Sequence, residues 1–393
     1  MRRHLVTGGA GFIGSHRADV VVCVEGFYGM GGTERQATTI ALELLRRGVA
    51  VAFLSRWPLS SDNTYVRELR AAGVPLISRG WVGPGTSPLN RWRVHLAKAM
   101  ALGREAELVK AAWQWEQHAL ERHIIGRPVL HEVPFFGLVP PAGRAALEVI
   151  GLPVVHSTFG SPTEGSLVPA TRRAVLTSDG SPCQDQRFRF VPTMSPGVRS
   201  LPLAITPPTE PRILFAGRME RSKGVDVLIE AVARIGKVGL RLAGEGSELP
   251  RLRELANRHG VNATFLGRLD QLGLAQEFAR SHVVAVPSLP SELGEGVPTV
   301  IGEALAAGTQ VVASTTGGIP YLKRVVGETH VLSLVPPGSI DILATELASA
   351  VRRWDPALPD ECRQLHEKFL SPSAVMPYYL EAYDAARERT EAK

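Results

Sequence analysis

Residues 287–320 read PSLPSELGEGVPTVIGEALAAGTQVVASTTGGIP. The stretch opens at the end of one apolar β-branched run, HVVAVPS, and contains a second, TQVVAS. Between them, GVPTVIGEALAAG carries a helical pattern, so the order is strand, helix, strand, the unit of a parallel sheet buried on both faces. Pro298 suits the first turn of that helix, where its missing N–H is no loss. The loop before it then brings backbone N–H groups and a positive helix end to the C-terminal edge of the sheet, where phosphates and sugar hydroxyls are expected. Glu295 and Glu303 bracket the loop and the first helical turn. Carboxylates placed there can accept hydrogen bonds from vicinal hydroxyls.

The same rhythm extends outward. Upstream, RILFAG precedes VDVLIEAVARIG, and LRLAGEG precedes ELPRLRELANRHG. Near the start, ADVVVCVEG is followed by TERQATTIALELLRRG and VAVAFLS. The rhythm breaks at LPLAITPPTEP, Leu201–Pro211, whose four prolines exclude a helix interior or a central strand. An α/β chain of two doubly wound domains is therefore expected. Its divisions are an extension over 1–16, an N-terminal domain over 17–205, a C-terminal domain over 206–372, and a helix and charged tail over 373–393. At 393 residues the chain exceeds what one core normally serves, in keeping with two domains.

Composition narrows the classes. With 44% hydrophobic and 21% charged residues the chain has the profile of a globular enzyme. A net charge of +6 suits anionic ligands or a weak attraction to an anionic membrane surface. No clustered Lys/Arg run with interleaved aromatics calls for nucleic acid. Cys23, Cys183 and Cys362 are odd in number and lack C-x-x-C spacing, so neither a disulfide framework nor a zinc site is expected. A cytoplasmic setting follows as an expectation, since no apolar run approaches a membrane span and glycines interrupt any leader-like segment near the start. Trp81, Trp92, Trp113 and Trp115 fall in or near a long helical region over 89–126. They read as core, with a basic membrane-facing patch, peripheral at the inner membrane face, as the other reading.

The segment EGVPTVIGEALAAGTQVVASTTGGIP resembles the E-G-x-P-x-V-x-x-E-A-x-A-x-G-x-x-V-V-A-S-x-x-G-G-I-P signature of retaining glycosyltransferases of family 4, which have the two-Rossmann GT-B fold. The resemblance runs upstream through ILFAGRMERSKGVDVLIEAVARI, LRLAGEGSELPRLRELA, ATFLGRL and HVVAVPS, in the family's order. It implies a GT-B architecture with a cleft between the domains. It also implies transfer of a sugar from a nucleotide-diphosphate sugar to a small-molecule or lipid-linked acceptor, with no metal cofactor. Carried over to this chain, Gly217, Arg218 and Lys223 would hold the donor diphosphate, and Glu303 the ribose hydroxyls. Glu295 would stand by the donor sugar, with the backbone at Gly296 and Val297.

In the N-terminal half, EGFYGMGGTERQATTIALELLRRGVAVAFLS resembles the family's opening. Gly31 and Gly32 would let backbone approach the donor phosphates, and Thr33 would cap the helix that follows. PVLHEVPFFG resembles a strand ending in H-E, which makes His131 the candidate beside the donor sugar. A structural histidine at a strand end is the competing reading. Where relatives carry T-x-H, this chain has Ser157-Thr158-Phe159, with His156 earlier. A sugar-nucleotide-binding protein with impaired catalysis is therefore the alternative function.

The first residues, VTGGAGFIGSH, have the glycine spacing of an extended short-chain dehydrogenase. That motif needs a helix at its third glycine and an active-site Y-x-x-x-K. After His16 the chain instead enters ADVVVCVEG, a strand pattern, and no tyrosine is followed four residues later by lysine. An NAD-dependent dehydratase or epimerase is thus the weaker alternative, and residues 1–16 read as an extension.

Overall fold

A computed structural model of the protein describes residues 16–24, 32–55, 58–78, 81–82, 119–133, 152–158, 173–177, 188–196, 210–290 and 296–391. The short apolar runs form parallel strands. In the N-terminal half these are β1 (Val20–Val24), β2 (Val51–Ser55), β3 (Leu76–Ser78), β4 (Val129–Val133), β5 (Val154–Thr158), β6 (Arg173–Thr177) and β7 (Phe188–Phe190). They lie in the order β7-β6-β5-β4-β1-β2-β3, every neighbouring pair parallel. In the C-terminal half β8 (Arg212–Ala216), β9 (Gly239–Ala243), β10 (Ala263–Gly267), β11 (Val283–Val286), β12 (Gln310–Ser314) and β13 (Leu332–Val335) lie in the order β10-β9-β8-β11-β12-β13, again all parallel. Two short parallel pairs flank the first sheet, His16–Arg17 with Ile124–Ile125 and Leu59–Ser60 with Trp81–Val82.

Both sheets are covered on two faces, and the period-2 alternation of strand side chains shows it. Val20, Val22 and Val24 of β1 pack into one core with Ile40 and Leu44, while Val21 and Cys23 face another with Ile124 and Leu130. In the second domain Ile213 and Phe215 of β8 join Leu228, Val232 and Leu347, and Leu214 joins Ile301 and Leu322 on the opposite face. The helices that supply these layers include α1 (Gly32–Arg46), α2 (Thr64–Ala71), α3 (Val225–Ile235), α4 (Leu249–Arg258), α5 (Gln271–Ala279), α6 (Thr299–Ala306), α7 (Ile319–Val326), α8 (Ile340–Arg352) and α9 (Leu358–Phe369). Each sheet reverses its strand order once, between β1 and β4 and between β8 and β11. In open α/β sheets ligands bind outside the strand ends at such a reversal.

The last helix, α10, spans Pro372–Glu391, in the segment expected to hold a helix and charged tail. It returns to the N-terminal sheet and packs against β4, β5 and β6. Val375, Met376, Tyr379, Ala382, Tyr383 and Ala386, spaced three or four apart, make one buried stripe in the core of β1 and α1. One expectation shifts: α1 begins at Gly32, so Thr33 lies inside the helix and is not its N-cap. Of the long helical region expected over 89–126, residues 89–118 lie outside the described residues, as do 1–15 of the dehydrogenase-like opening and 201–209 of the proline-rich linker.

Candidate active site

The C-terminal reversal is built by two loops. After β8 the chain turns through Gly217 and Arg218. The Gly217 N–H donates to the Ala243 carbonyl at 3.0 Å, and the Met219 N–H to that of Glu245 at 2.8 Å. The Gly244-Glu245-Gly246 turn after β9 thus supports this loop from below, and glycine is required in it. Gly244 has φ +131°, and a Cβ there would lie 2.9 Å from the Gly217 carbonyl carbon and closer still to its oxygen. Gly217 and Arg218 are exposed above this base, and the Arg218 guanidinium reaches the Glu220 carboxylate at 2.7 Å.

Lys223 ends a short 3-10 turn, Arg221–Lys223, which is closed by Gly224 in the left-handed region at φ +64°. A Cβ on Gly224 would collide with the Pro287 carbonyl at the exit of β11. The Leu289 N–H also donates to the Ser222 carbonyl at 2.8 Å. The sequence therefore seats the half-buried Lys223 directly on the second loop of the reversal. Arg218 and Lys223 thus both stand on loops at the C-terminal edge of one sheet.

The second loop runs from β11 to α6. Pro298 stands at the N-cap of that helix with φ −59° and ψ 132°, matching the expected start. Gly296 and Val297 are buried, and the Val297 carbonyl accepts a hydrogen bond from the Thr193 hydroxyl at 2.6 Å. This bond comes from the opposite half of the chain. Glu295 and Gly31 lie outside the described residues.

Glu303 occupies the fifth position of α6 and is nearly buried. Its Oε1 meets Nη1 of Arg35, from α1 of the other domain, at 2.8 Å. The helix starts are close here: a Cβ on Gly32 would sit 3.6 Å from the Thr299 Cγ2. Tyr65 of α2 is buried beside the pair, and burial pushes its phenol up to about 12 against the opposing pull of Arg35. The domains touch again where the Ser195 N–H donates to the Leu370 carbonyl at 2.9 Å and the His366 ring meets the Ser195 carbonyl at 3.0 Å through Nε2.

His131 lies in the core. It sits in the middle of β4 on the same face as Val129 and Val133, fully buried. Its Nδ1 meets the Tyr383 hydroxyl at 2.8 Å, and the rings of Tyr379 and Tyr383 lie 5.4 and 5.5 Å away. These contacts come from the return of α10, which covers that face of the sheet. His156, Ser157 and Thr158 lie on β5. Arg35 and Thr193 are site neighbours that the sequence reading assigned no role, although Arg35 stands in the G-G-x-E-R motif that opens α1. Among the described residues no group of three or more His, Cys, Asp or Glu side chains is placed to hold a metal ion. No helix among them is long and apolar enough to cross a membrane.

Residues 210–353, which carry both loops, match the family described as glycosyl transferases group 1. Over 144 residues the chain is 35% identical to the phosphatidyl-myo-inositol mannosyltransferase of Mycobacterium tuberculosis, a match that covers 35% of this chain and 36% of that protein. The chain thus spans about a third of the length of the curated relatives it matches. Solved structures cover far more of it. A glycosyltransferase from Rickettsia africae superposes with a TM-score of 0.68 at 14% identity, over 94% of this chain and 98% of its own. The HepE protein of Anabaena in complex with UDP and glucose gives 0.63 at 16%, over 93% and 99%. At such identities the likeness establishes the architecture, and that architecture is GT-B.

Proposed function

We propose that the chain, whose residues 210–353 match the glycosyl transferases of group 1, moves a sugar from a nucleoside-diphosphate sugar to an acceptor hydroxyl, with retention at the anomeric carbon. The observation that carries the proposal is the pairing of Arg218 and Lys223 on one strand reversal, on loops held by backbone contacts at Gly217, Met219 and Leu289. Fixed cations at that place neutralise the charge that grows on a departing diphosphate. Their loops are already in place, so little reorganisation accompanies the reaction.

In this reading the bond from the sugar's anomeric carbon to the diphosphate oxygen breaks while the acceptor oxygen bonds to the same face of that carbon. The acceptor's proton ends on the leaving phosphate oxygen, and no protein nucleophile is needed. Glu303 accepts the ribose hydroxyls, Glu295 faces the donor sugar, and the backbone at Gly296 and Val297 places it. Gly31 and Gly32 close on the phosphates from the other domain. The similarity to a phosphatidyl-inositol mannosyltransferase, and to a structure holding UDP and glucose, supports a nucleotide-sugar donor and keeps a lipid-linked acceptor beside a small-molecule one.

The test is a panel of UDP-, GDP-, ADP- and dTDP-sugars scored for binding and for slow hydrolysis. Lys223→Ala is expected to keep the fold and lose nearly all turnover. Full turnover by that variant would refute the assignment. Binding of a donor without any product would favour the second reading, a sugar-nucleotide-binding protein, which the Ser157-Thr158-Phe159 departure motivates.

A further inference from the structure

The ion pair between Arg35 and Glu303 joins the two domains inside the candidate donor site, and the donor reading above gives its arginine no task. The two side chains keep only 17% and 7% of their accessible surface. A carboxylate that buried is costly to keep charged unless a cation meets it, and breaking such a pair leaves an uncompensated charge. Arg35 Nη1 meets the carboxylate at Oε1. A carboxylate has two oxygens and about four lone-pair sites, so a guanidinium beside it still leaves acceptor capacity. The guanidinium comes from the fourth residue of α1, a helix whose own start stands against the start of α6. The pair therefore forms only when the domains are in this close relation.

We propose that Arg35 is a positioning residue of the donor site: from the N-terminal domain it holds the Glu303 carboxylate turned so that it accepts the ribose hydroxyls. Recognition of the nucleoside then depends on the approach of the two domains, although the carboxylate that accepts its ribose lies in one of them. The inference rests on the reading of Glu303 as the ribose acceptor. It adds that the acceptor is made competent by a residue of the other domain. Arg35 touches no reacting atom in this scheme and acts only through Glu303.

The test is calorimetric titration of the full chain with UDP and GDP, and with their 2′,3′-dideoxy forms, for wild type, Arg35→Met, Arg35→Lys and Glu303→Gln. Arg35→Met should weaken the better ribonucleotide on the order of tenfold, the range of a lost charge-assisted hydrogen bond, and leave its dideoxy form within about twofold. Arg35→Lys should recover part of the loss. The double variant Arg35→Met/Glu303→Gln should be no weaker than Glu303→Gln alone, because both changes remove one interaction. Equal weakening of ribo and dideoxy ligands would show a merely structural role and overturn the proposal. So would unchanged affinity, or tighter binding, which would mean that Arg35 competes with the ribose. A wild-type chain that binds neither UDP nor GDP, and not ADP either, would overturn the donor reading itself and this inference with it.

Discussion

Gly224 and Gly260 form a matched pair for asking what seats the Lys223 loop. Both have left-handed φ, +64° and +63°. Around Gly260 nothing lies within 4 Å of where a Cβ would be, whereas at Gly224 the Cβ would stand 3.0 Å from the Pro287 carbonyl carbon and inside contact of its oxygen. An alanine at either site costs about 1–2 kcal/mol for the left-handed backbone. Only Gly224→Ala adds a collision, and with main chain that cannot rotate away as a flexible side-chain tip could. Overpacking of this kind costs roughly 1–3 kcal/mol more. Gly260→Ala should therefore lose about 1–2 kcal/mol and Gly224→Ala about 2–5 kcal/mol, read as denaturation midpoints in urea scans run side by side. The collision must also push the Arg221–Gly224 turn off the β11 exit, carrying Lys223 with it. A displacement near 1 Å at a positioning group can cost on the order of a hundredfold in rate. Gly224→Ala is thus expected to lose transfer far beyond its loss of folded protein, and Gly260→Ala to lose none per folded molecule. Equal midpoints for the two variants, or full turnover by folded Gly224→Ala, would refute the reasoning.

Two further outcomes follow from buried groups. Tyr383→Phe removes the hydroxyl at His131 Nδ1 and should cost about 1–3 kcal/mol, seen as a lower Tm, while donor affinity of the folded protein stays unchanged; a selective loss of donor affinity would assign His131 to the donor site. Burial holds His282 and His366 below the ordinary imidazole value of 6.5, so their neutral forms belong to the fold. That contribution to stability is complete above pH 6.5 and is lost as the pH falls toward the lowered values in the folded state. Thermal scans should show a declining Tm below about pH 6.5, shallower in His366→Gln; an unchanged slope in that variant would remove His366 as a cause.

What the sequence made legible was local. A β-branched run with turn signals declares a buried parallel strand, and a glycine where two backbones approach declares itself because nothing larger fits. Hence the strand–helix rhythm and the start of α6 near Pro298 could be read within a dozen residues of chain, while the Gly217–Arg218 and Lys223–Gly224 positions were legible through the family resemblance. Arg35 could not: its helix announces a charged residue on its first turn, but the carboxylate it meets is on the other domain, and no spacing within either segment encodes the meeting.

His131 shows why such ambiguity concentrates at particular residues. A parallel sheet buried on both faces leaves a polar strand residue two options, a partner in the core or a place at the open end of the sheet. The pattern Val129–Val133 fits both, since the neighbours that share the face of His131 are apolar in either case. What decides is whether a helix covers that face and brings a hydroxyl with it. Here the deciding element is α10, at the far end of the chain, and its signal was present in the three-and-four spacing of Val375, Met376, Tyr379, Ala382, Tyr383 and Ala386. A final helix with so regular an apolar stripe must be covered by something. Within a two-domain α/β chain the partner surface it fits is an otherwise uncovered sheet face, and a polar residue there is the natural mate for one of its tyrosines.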